Sequence, residues 1–163
     1  MGLKEAEELL DEAYRFKLRA EDLLKKGYGH YSGSVQNAQS CIELSVKSLF
    51  KLVDLPYPHL HDPTGTKGKK PSEEDKVKGI KKVLDKLEFP EGSHYKQDIA
   101  RSIWISKMSE EFHTSTIYGY LDVGASKIFE KKDAQILSDY ASEVMRICGR
   151  VVNAVRTGQI KII

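Results

Sequence analysis

One segment of the chain has a regular hydrophobic pattern in which apolar residues recur at steps of three and four, the period of one buried helical face. These apolar positions are Val35, Ala38, Ile42, Val46, Leu49 and Val53. Ser34 stands just before them, and a serine there can accept hydrogen bonds from the first free backbone N–H groups of a helix. Pro56 and Pro58 prevent the helix from continuing. The pattern predicts a helix that begins near Ser34 and ends at about Asp54.

The same period recurs in four other segments, which predicts helices over residues 3–26, 72–89, 93–118 and 132–156. The fourth helix of the chain is expected to turn its large apolar side chains inward, namely Ile99, Ile103, Trp104, Met108 and Phe112. The last helix has an unbroken apolar seam, typical of packing against neighbouring helices, at Ala134, Leu137, Ala141, Val144, Cys148, Val151 and Val155. No segment shows a convincing strand alternation. We therefore predict an all-α fold, an up-and-down helical bundle of about five helices in a single domain spanning residues 1–163.

Two parts of the chain lack helical periodicity. Residues 55–71 are rich in Pro, Gly, Thr and Lys and predict a long exposed loop, which in compact domains tends to be functional or mobile. Residues 157–163 form a short apolar tail. This tail is expected either to pack on the core or to pair across a dimer.

Composition narrows the class of protein. With 40% hydrophobic and 31% charged residues, the chain has the balance of a globular domain. The 26 basic and 24 acidic residues leave a net charge of +2, so nucleic-acid binding would depend on a local patch. No apolar run approaches the roughly 18 residues that cross a bilayer. The first residues are charged where a signal peptide would be apolar, which predicts a cytoplasmic protein without membrane contact.

Residues that could bind a metal or form a disulfide are few. His59 and His61 stand in one loop tripeptide, and two histidines are too few ligands for a metal site. Cys41 and Cys148 both lie on apolar helical faces, which indicates reduced core residues more than a disulfide or a metal pair. We expect no metal and no cofactor.

Polar side chains form a second row on the helix that begins near Ser34. Gln36, Ser40, Glu43 and Lys47 follow one another at steps of four, three and four, which places them on one face. One interpretation is a solvated surface with an ion pair between Glu43 and Lys47, which would stabilise the helix by about 0.2–0.5 kcal/mol. The other interpretation is the wall of a polar cleft. The spacing leaves both open.

A family resemblance adds to this pattern. The residues that carry it are Tyr31, Ala38, Gln39, Glu43, Lys47, Ser48 and Leu49, then His59 and His61, and further along Tyr118-Gly119 and Asp133-Ala134. In this order they resemble the core of the HEPN family, whose name stands for higher eukaryotes and prokaryotes nucleotide-binding, over residues 31–156. The resemblance implies a homodimer that binds a nucleotide or RNA, and a small nucleotidyltransferase as an alternative partner.

The resemblance also implies a ligand-binding cleft. It places His59 or His61 above the polar row and Tyr118 opposite it, with Gln36, Ser40, Glu43 and Lys47 as the wall. In such a cleft Glu43 would hold Lys47 charged and oriented, while Lys47 offered its other hydrogens to a phosphate-bearing ligand.

Some members of this family resemble toxin-like, metal-independent ribonucleases, in which an Arg is followed after four to six residues by a His. Such an Arg can hold a phosphate and such a His can move the proton of the attacking 2′-hydroxyl. Here Arg101 is too far upstream of His113, and Lys107 stands at the permitted spacing with Glu110 and Glu111 between them, whose carboxylates would repel a phosphate. Lys107 and His113 are therefore weak catalytic candidates. We expect a binding module that is not an enzyme, with the ribonuclease as the alternative.

Overall fold

The structure, a computed structural model, describes residues 2–57, 73–110 and 128–163. In these ranges the elements are, in chain order, α1 (Gly2–Lys26), α2 (Tyr31–Leu52), α3 (Glu73–Leu84), β1 (Leu87–Glu88), α4 (Tyr95–Ser109), α5 (Lys131–Arg156) and β2 (Lys161–Ile162). The predicted all-α class is confirmed, with five helices in the described ranges. Among the described residues, no helix combines the length and the apolar character needed to cross a membrane.

Helices α1 and α2 pack antiparallel along their whole length. Ser34 Oγ donates a hydrogen bond of 2.7 Å to the carbonyl oxygen of Ala20, and Lys51 forms an ion pair with Glu5 at 3.5 Å. The fully buried side chains of α1 are small, namely Ala6, Ala13 and Ala20, which lets the two backbones approach closely. The prediction that Ser34 caps its own helix was wrong. Helix α2 begins earlier, at Tyr31, and the Ser34 hydroxyl binds α1 instead.

Helix α5 forms the third wall of the core. Arg156 lies 3.7 Å from Glu7, so the end of α5 meets the start of α1. The predicted apolar seam of α5 is confirmed at its buried positions, which are Ala134, Leu137, Ala141, Val144, Cys148 and Val151. Helix α2 lies between α1 and α5 and is buried on most of its circumference.

Helix α4 turns a different face inward from the one predicted. Ile99 and Ile103 are buried as expected, but Trp104 and Met108 are 45% and 47% exposed, so the prediction was wrong for these two. The buried positions of α4 include three serines, Ser102, Ser106 and Ser109. Small residues at a helix contact shorten the distance between the axes, so large side chains are left outside. Phe112 lies outside the described residues.

A two-stranded antiparallel ladder joins the tail to the segment after α3. Leu87 pairs with Ile162, and Glu88 pairs with Lys161. The prediction of no strand was therefore wrong at these positions, because two-residue strands are too short to show an alternation. The third helix also ends at Leu84, earlier than the segment predicted from periodicity. Ile160 of the tail is buried in the core, so the tail packs on its own domain.

Both cysteines are free and buried in the core. Burial raises the pKa of the Cys41 thiol to about 12, although a hydrogen bond with Ser45 opposes this effect. Burial also raises the pKa of the Cys148 thiol above its usual range. The two thiols therefore stay protonated near neutral pH, and the predicted core position of both cysteines is confirmed.

Candidate functional site

The predicted polar row lies on α2 and is half-buried. Each of its four side chains is partly exposed to solvent, namely Gln36, Ser40, Glu43 and Lys47. In the described ranges no ion pair joins Glu43 to Lys47, so the predicted pair between them does not form there. Glu43 takes part in other interactions. The row is therefore more enclosed than an ordinary solvated helix face.

Several residues of the predicted cleft cannot be placed against this row. His59, His61, Tyr118 and His113 lie outside the described residues. Their convergence with the polar row and the pairing of His113 with Lys107 remain predictions. In the described part of the chain, no group of three or more His, Cys, Asp or Glu side chains is arranged to hold a metal ion.

Tyr57 packs back onto α2 because the chain reverses just after the helix. Asp54 adopts a left-handed backbone conformation with φ of 54°, and the Leu55 N–H donates a hydrogen bond of 2.9 Å to the Phe50 carbonyl oxygen. The Tyr57 ring then meets the Phe50 ring edge to face at 5.3 Å between centroids. Aromatic pairs favour this geometry. The reversal buries Tyr57 between α2 and its neighbours.

The Tyr57 hydroxyl lies in an acidic environment. Burial raises the pKa of the Tyr57 phenol above its usual range, the negative charge of Glu43 raises it further, hydrogen bonding with Ser106 lowers it, and the charge of Glu110 raises it. The phenol therefore stays neutral and keeps its proton for donation. These effects also show that Glu43 of α2 and Ser106 of α4 approach the same hydroxyl. The structure thus brings part of the polar row close to α4.

Lys107 joins this group through Glu110. Lys107 Nζ lies 3.6 Å from Glu110 Oε1, and the two side chains are only 9% and 19% exposed. We call Glu43, Tyr57, Ser106, Lys107 and Glu110 the Tyr57 cluster. It contains two carboxylates and one ammonium, so its formal charge is negative. Such a site repels a phosphate, and its ammonium is already engaged.

The sequence pattern identified Glu43 and Lys107 separately but missed Tyr57 and Ser106. The sequence did contain a signal for Tyr57. It stands between Pro56 and Pro58, and these prolines restrict the backbone on both sides of it. Ser106 gave no such signal, because a serine within a helix is usually solvated or bonded to its own backbone.

Comparisons with known proteins agree with this architecture. The family model described as the HEPN domain matches residues 6–151. The match begins within α1, well before the predicted start of the resemblance at Tyr31, and therefore includes the α1–α2 pair. Searches of curated proteins and of solved structures give no match.

Proposed function

Because the chain belongs to the HEPN family, we propose that it is a nucleotide- or nucleic-acid-binding and dimerising module without ribonuclease activity. The family supports a nucleotide-binding or ribonuclease-like module in general. The observation that favours a binding module over a ribonuclease is that Lys107, which stands at the spacing of the family's Arg, is poorly exposed and paired.

Lys107 is engaged within the domain and is poorly placed to contact RNA. Its side chain is 9% exposed and paired with Glu110. A catalytic cation must reach the phosphate at the reacting centre, and a lysine also lacks the planar fork of an arginine. The negative charge of Glu43 and Glu110 around Tyr57 further disfavours an approaching phosphate. These features support a role for Lys107 in stability.

Lys47 is the residue we propose to contact the ligand. It is half-buried on the polar row, and in the described part of the chain it forms no ion pair. Lys51, one helical turn further on, is instead paired with Glu5 at 3.5 Å. The two lysines thus offer a matched comparison on one helix. In the described part of the chain, Lys51 is paired with a carboxylate and Lys47 is not.

We expect Lys47→Met to weaken the binding of a short, fluorescein-labelled single-stranded RNA by about tenfold or more. The loss of one charge-assisted hydrogen bond to a phosphate corresponds to this factor. Lys51→Met removes the same charge and should change the affinity by less than about twofold. Both variants should lose under about 1 kcal/mol of stability in chemical denaturation. Equal affinities of the two variants, or unfolding of Lys47→Met alone, would show that Lys47 is structural.

An apolar surface on α4 and α5 supports the proposed dimer. Arg101 Nε donates to Glu143 Oε1 at 2.6 Å, and Arg150 Nη2 donates to Asp98 Oδ2 at 2.9 Å, so the two helices run antiparallel. The following turns of α4 carry Trp104 and Met108, and the adjacent turns of α5 carry Tyr140 and Ile136. These four residues therefore lie at the same height along the two helices. Of these side chains, Trp104, Met108 and Ile136 are exposed and Tyr140 is half-buried. We call them the α4–α5 face.

A second copy of the chain would cover the α4–α5 face. We expect Trp104→Glu to convert a dimer into a monomer in sedimentation equilibrium, because a buried unpaired carboxylate opposes association. Leu18→Glu is the control, since Leu18 of α1 is equally exposed but lies away from this face. A wild-type mass that stays monomeric at all concentrations would contradict the proposed dimer. Dissociation by Leu18→Glu alone would place the interface on α1.

A further inference from the structure

A polar cavity lies at the end of the bundle where α1 ends and α2 and α5 begin. Its volume is about 500 Å³, which is within the range of small-molecule sites. Lys25 of α1, Tyr31 of α2 and Lys131 of α5 are among its wall residues. Tyr31 and Lys47 are 16 residues apart on α2, which places this wall roughly 24 Å from Lys47 at 1.5 Å per residue. The cavity is therefore separate from the RNA contact proposed at Lys47.

Charges of opposite sign lie at the two ends of this cavity. The end of α1 meets the start of α5 here, and an ion pair of 3.7 Å joins the first turns of α1 to the last turn of α5, so the two helices run antiparallel. Lys25 and Lys131 therefore lie at the outer end of the cavity. Glu21 and Asp139 lie further toward the middle of the bundle, since four residues of helix rise by about 6 Å and eight residues by about 12 Å. The wall thus has as many carboxylates as ammonium groups, and the two kinds are separated along its length.

Three of these four charges have no counterion among the described residues. Glu21 Oε1 lies 2.8 Å from Lys17 Nζ, so the charge of Glu21 is neutralised within α1. Asp139 Oδ1 accepts a hydrogen bond of 2.9 Å from a glutamine side chain one turn earlier on α5, and this neutral amide leaves the carboxylate charged. In the described part of the chain, no ion pair includes Asp139, Lys25 or Lys131. The cavity therefore presents two positive charges at its outer end and one negative charge at its inner end.

Apolar groups lie between the charged ends of the cavity. Leu24 stands between Glu21 and Lys25 on α1, lines the cavity and packs partly against the core. Tyr31 also packs partly against the core, and Gly27, which ends α1 with φ of 83°, has no side chain to cover the Tyr31 ring. An unbranched chain of methylene groups packs well on such a surface, as the stems of lysine and arginine side chains do in proteins. The wall therefore suits a ligand with an apolar middle and two charged ends.

We infer that this cavity binds a small ω-amino acid, in which a carboxylate and an ammonium group stand at opposite ends of an unbranched chain. The carboxylate lies between Lys25 and Lys131, and the ammonium group contacts Asp139. The methylene groups between them cover Leu24 and Tyr31. Charge-assisted hydrogen bonds at both ends fix the direction of the ligand. The inference goes beyond the proposed RNA binding, because it concerns another surface and a ligand without phosphate.

Calorimetric titration with 6-aminohexanoate tests the site. Lys25→Met, Lys131→Met and Asp139→Asn should each weaken its binding by about tenfold, the effect of losing one charge-assisted hydrogen bond. Lys26→Met and Asp22→Asn are the matched controls, since these two residues of α1 pair with each other at 3.1 Å outside the cavity wall. The controls should stay within about twofold of the wild type. All five side chains are exposed, so the variants should retain the wild-type melting temperature.

Ligands that lack one end separate the two halves of the site. Hexanoate should bind the wild type more weakly than 6-aminohexanoate, and its affinity should fall in Lys25→Met but not in Asp139→Asn. Hexylamine should show the opposite dependence on these two variants. Glycine should bind weaker than 6-aminohexanoate by about tenfold or more, because its two charges are too close together to reach both ends of the cavity.

Three outcomes would overturn the inference. Equal losses in the matched controls would show that the effect is general electrostatic attraction. Absence of 6-aminohexanoate binding by the wild type would show that the cavity does not take this class of ligand. Tighter binding of the N-acetylated peptide Ala-Ala-Lys than of 6-aminohexanoate would assign the cavity to the C-terminus of a partner protein in place of a small molecule.

The same variants distinguish this site from the proposed RNA surface. Asp139→Asn should leave the affinity for single-stranded RNA unchanged, and Lys47→Met should leave the affinity for 6-aminohexanoate unchanged. If Lys47→Met alone abolishes the binding of 6-aminohexanoate, the inferred site is wrong and the proposed function stands. If the RNA fails to bind but 6-aminohexanoate binds as described, the proposed function is wrong and the inferred site stands.

Discussion

Leu49→Ala is expected to lower the free energy of unfolding by about 3 kcal/mol, within the range measured for large-to-small changes in protein cores. Leu49 is fully buried on α2, the helix that packs against both α1 and α5. The alanine removes apolar surface from the core and leaves a cavity that rigid neighbouring helices cannot fill. A loss of this size should lower the melting temperature by about 10 °C in a domain of this length.

Leu18→Ala provides the control for this prediction. Leu18 is the same residue type on α1 but is 45% exposed, so the substitution creates no enclosed cavity. It should change the stability by under about 1 kcal/mol in urea unfolding monitored by circular dichroism. Similar losses for the two variants would mean that α2 is not the centre of the core.

Lys107→Met is expected to cost about 2 kcal/mol of stability, less than the loss for a fully buried pair because both partners keep some solvent contact. The substitution leaves the Glu110 carboxylate without this ammonium, in a region where Glu43 also acts on Tyr57. Two negative charges in a poorly solvated site repel each other and resist burial. The loss should appear in urea unfolding at neutral pH.

Two comparisons establish the cause of this loss. The double variant Lys107→Met/Glu110→Gln removes both charges and should recover much of the lost stability. Lys132→Met removes an exposed lysine whose partner Glu130 is also exposed, and it should have little effect. If Lys107→Met is as stable as the wild type, Lys107 is not needed for stability, and the proposed absence of ribonuclease activity loses its support.

Hydrophobic periodicity predicted the helices well where apolar residues, small or large, occupy the core-facing positions. Helices α1, α2 and α5 have such faces, and their positions follow from the spacing. It failed on α4, where buried serines displaced Trp104 and Met108 to the surface. The reason is that periodicity depends only on the positions of apolar residues in the sequence and carries no information on how closely two helices approach. The short β1–β2 ladder could not be predicted from periodicity either, since its two strands are far apart in the chain.

The candidate site was predictable only in part. The polar row on α2 follows from the spacing along one helix, and Glu43 belongs to it. The approach of Tyr57 and Ser106 depends on the chain reversal at Asp54, where a non-glycine residue has a positive φ. Such a conformation is uncommon and is fixed by the surrounding structure. Lys107 and Glu110 are three residues apart, which brings them together on a helix, but the burial of the pair follows only from packing.

The central claim, RNA binding without cleavage, is tested most directly by fluorescence anisotropy of an end-labelled, unstructured RNA mixed with excess wild-type protein in the presence of EDTA. Binding without cleavage predicts a rise to a plateau that remains constant over hours, because the labelled RNA stays bound and intact. A rise followed by a steady decay below the value of the free RNA would contradict the claim, since only shortened fragments tumble faster than the starting strand.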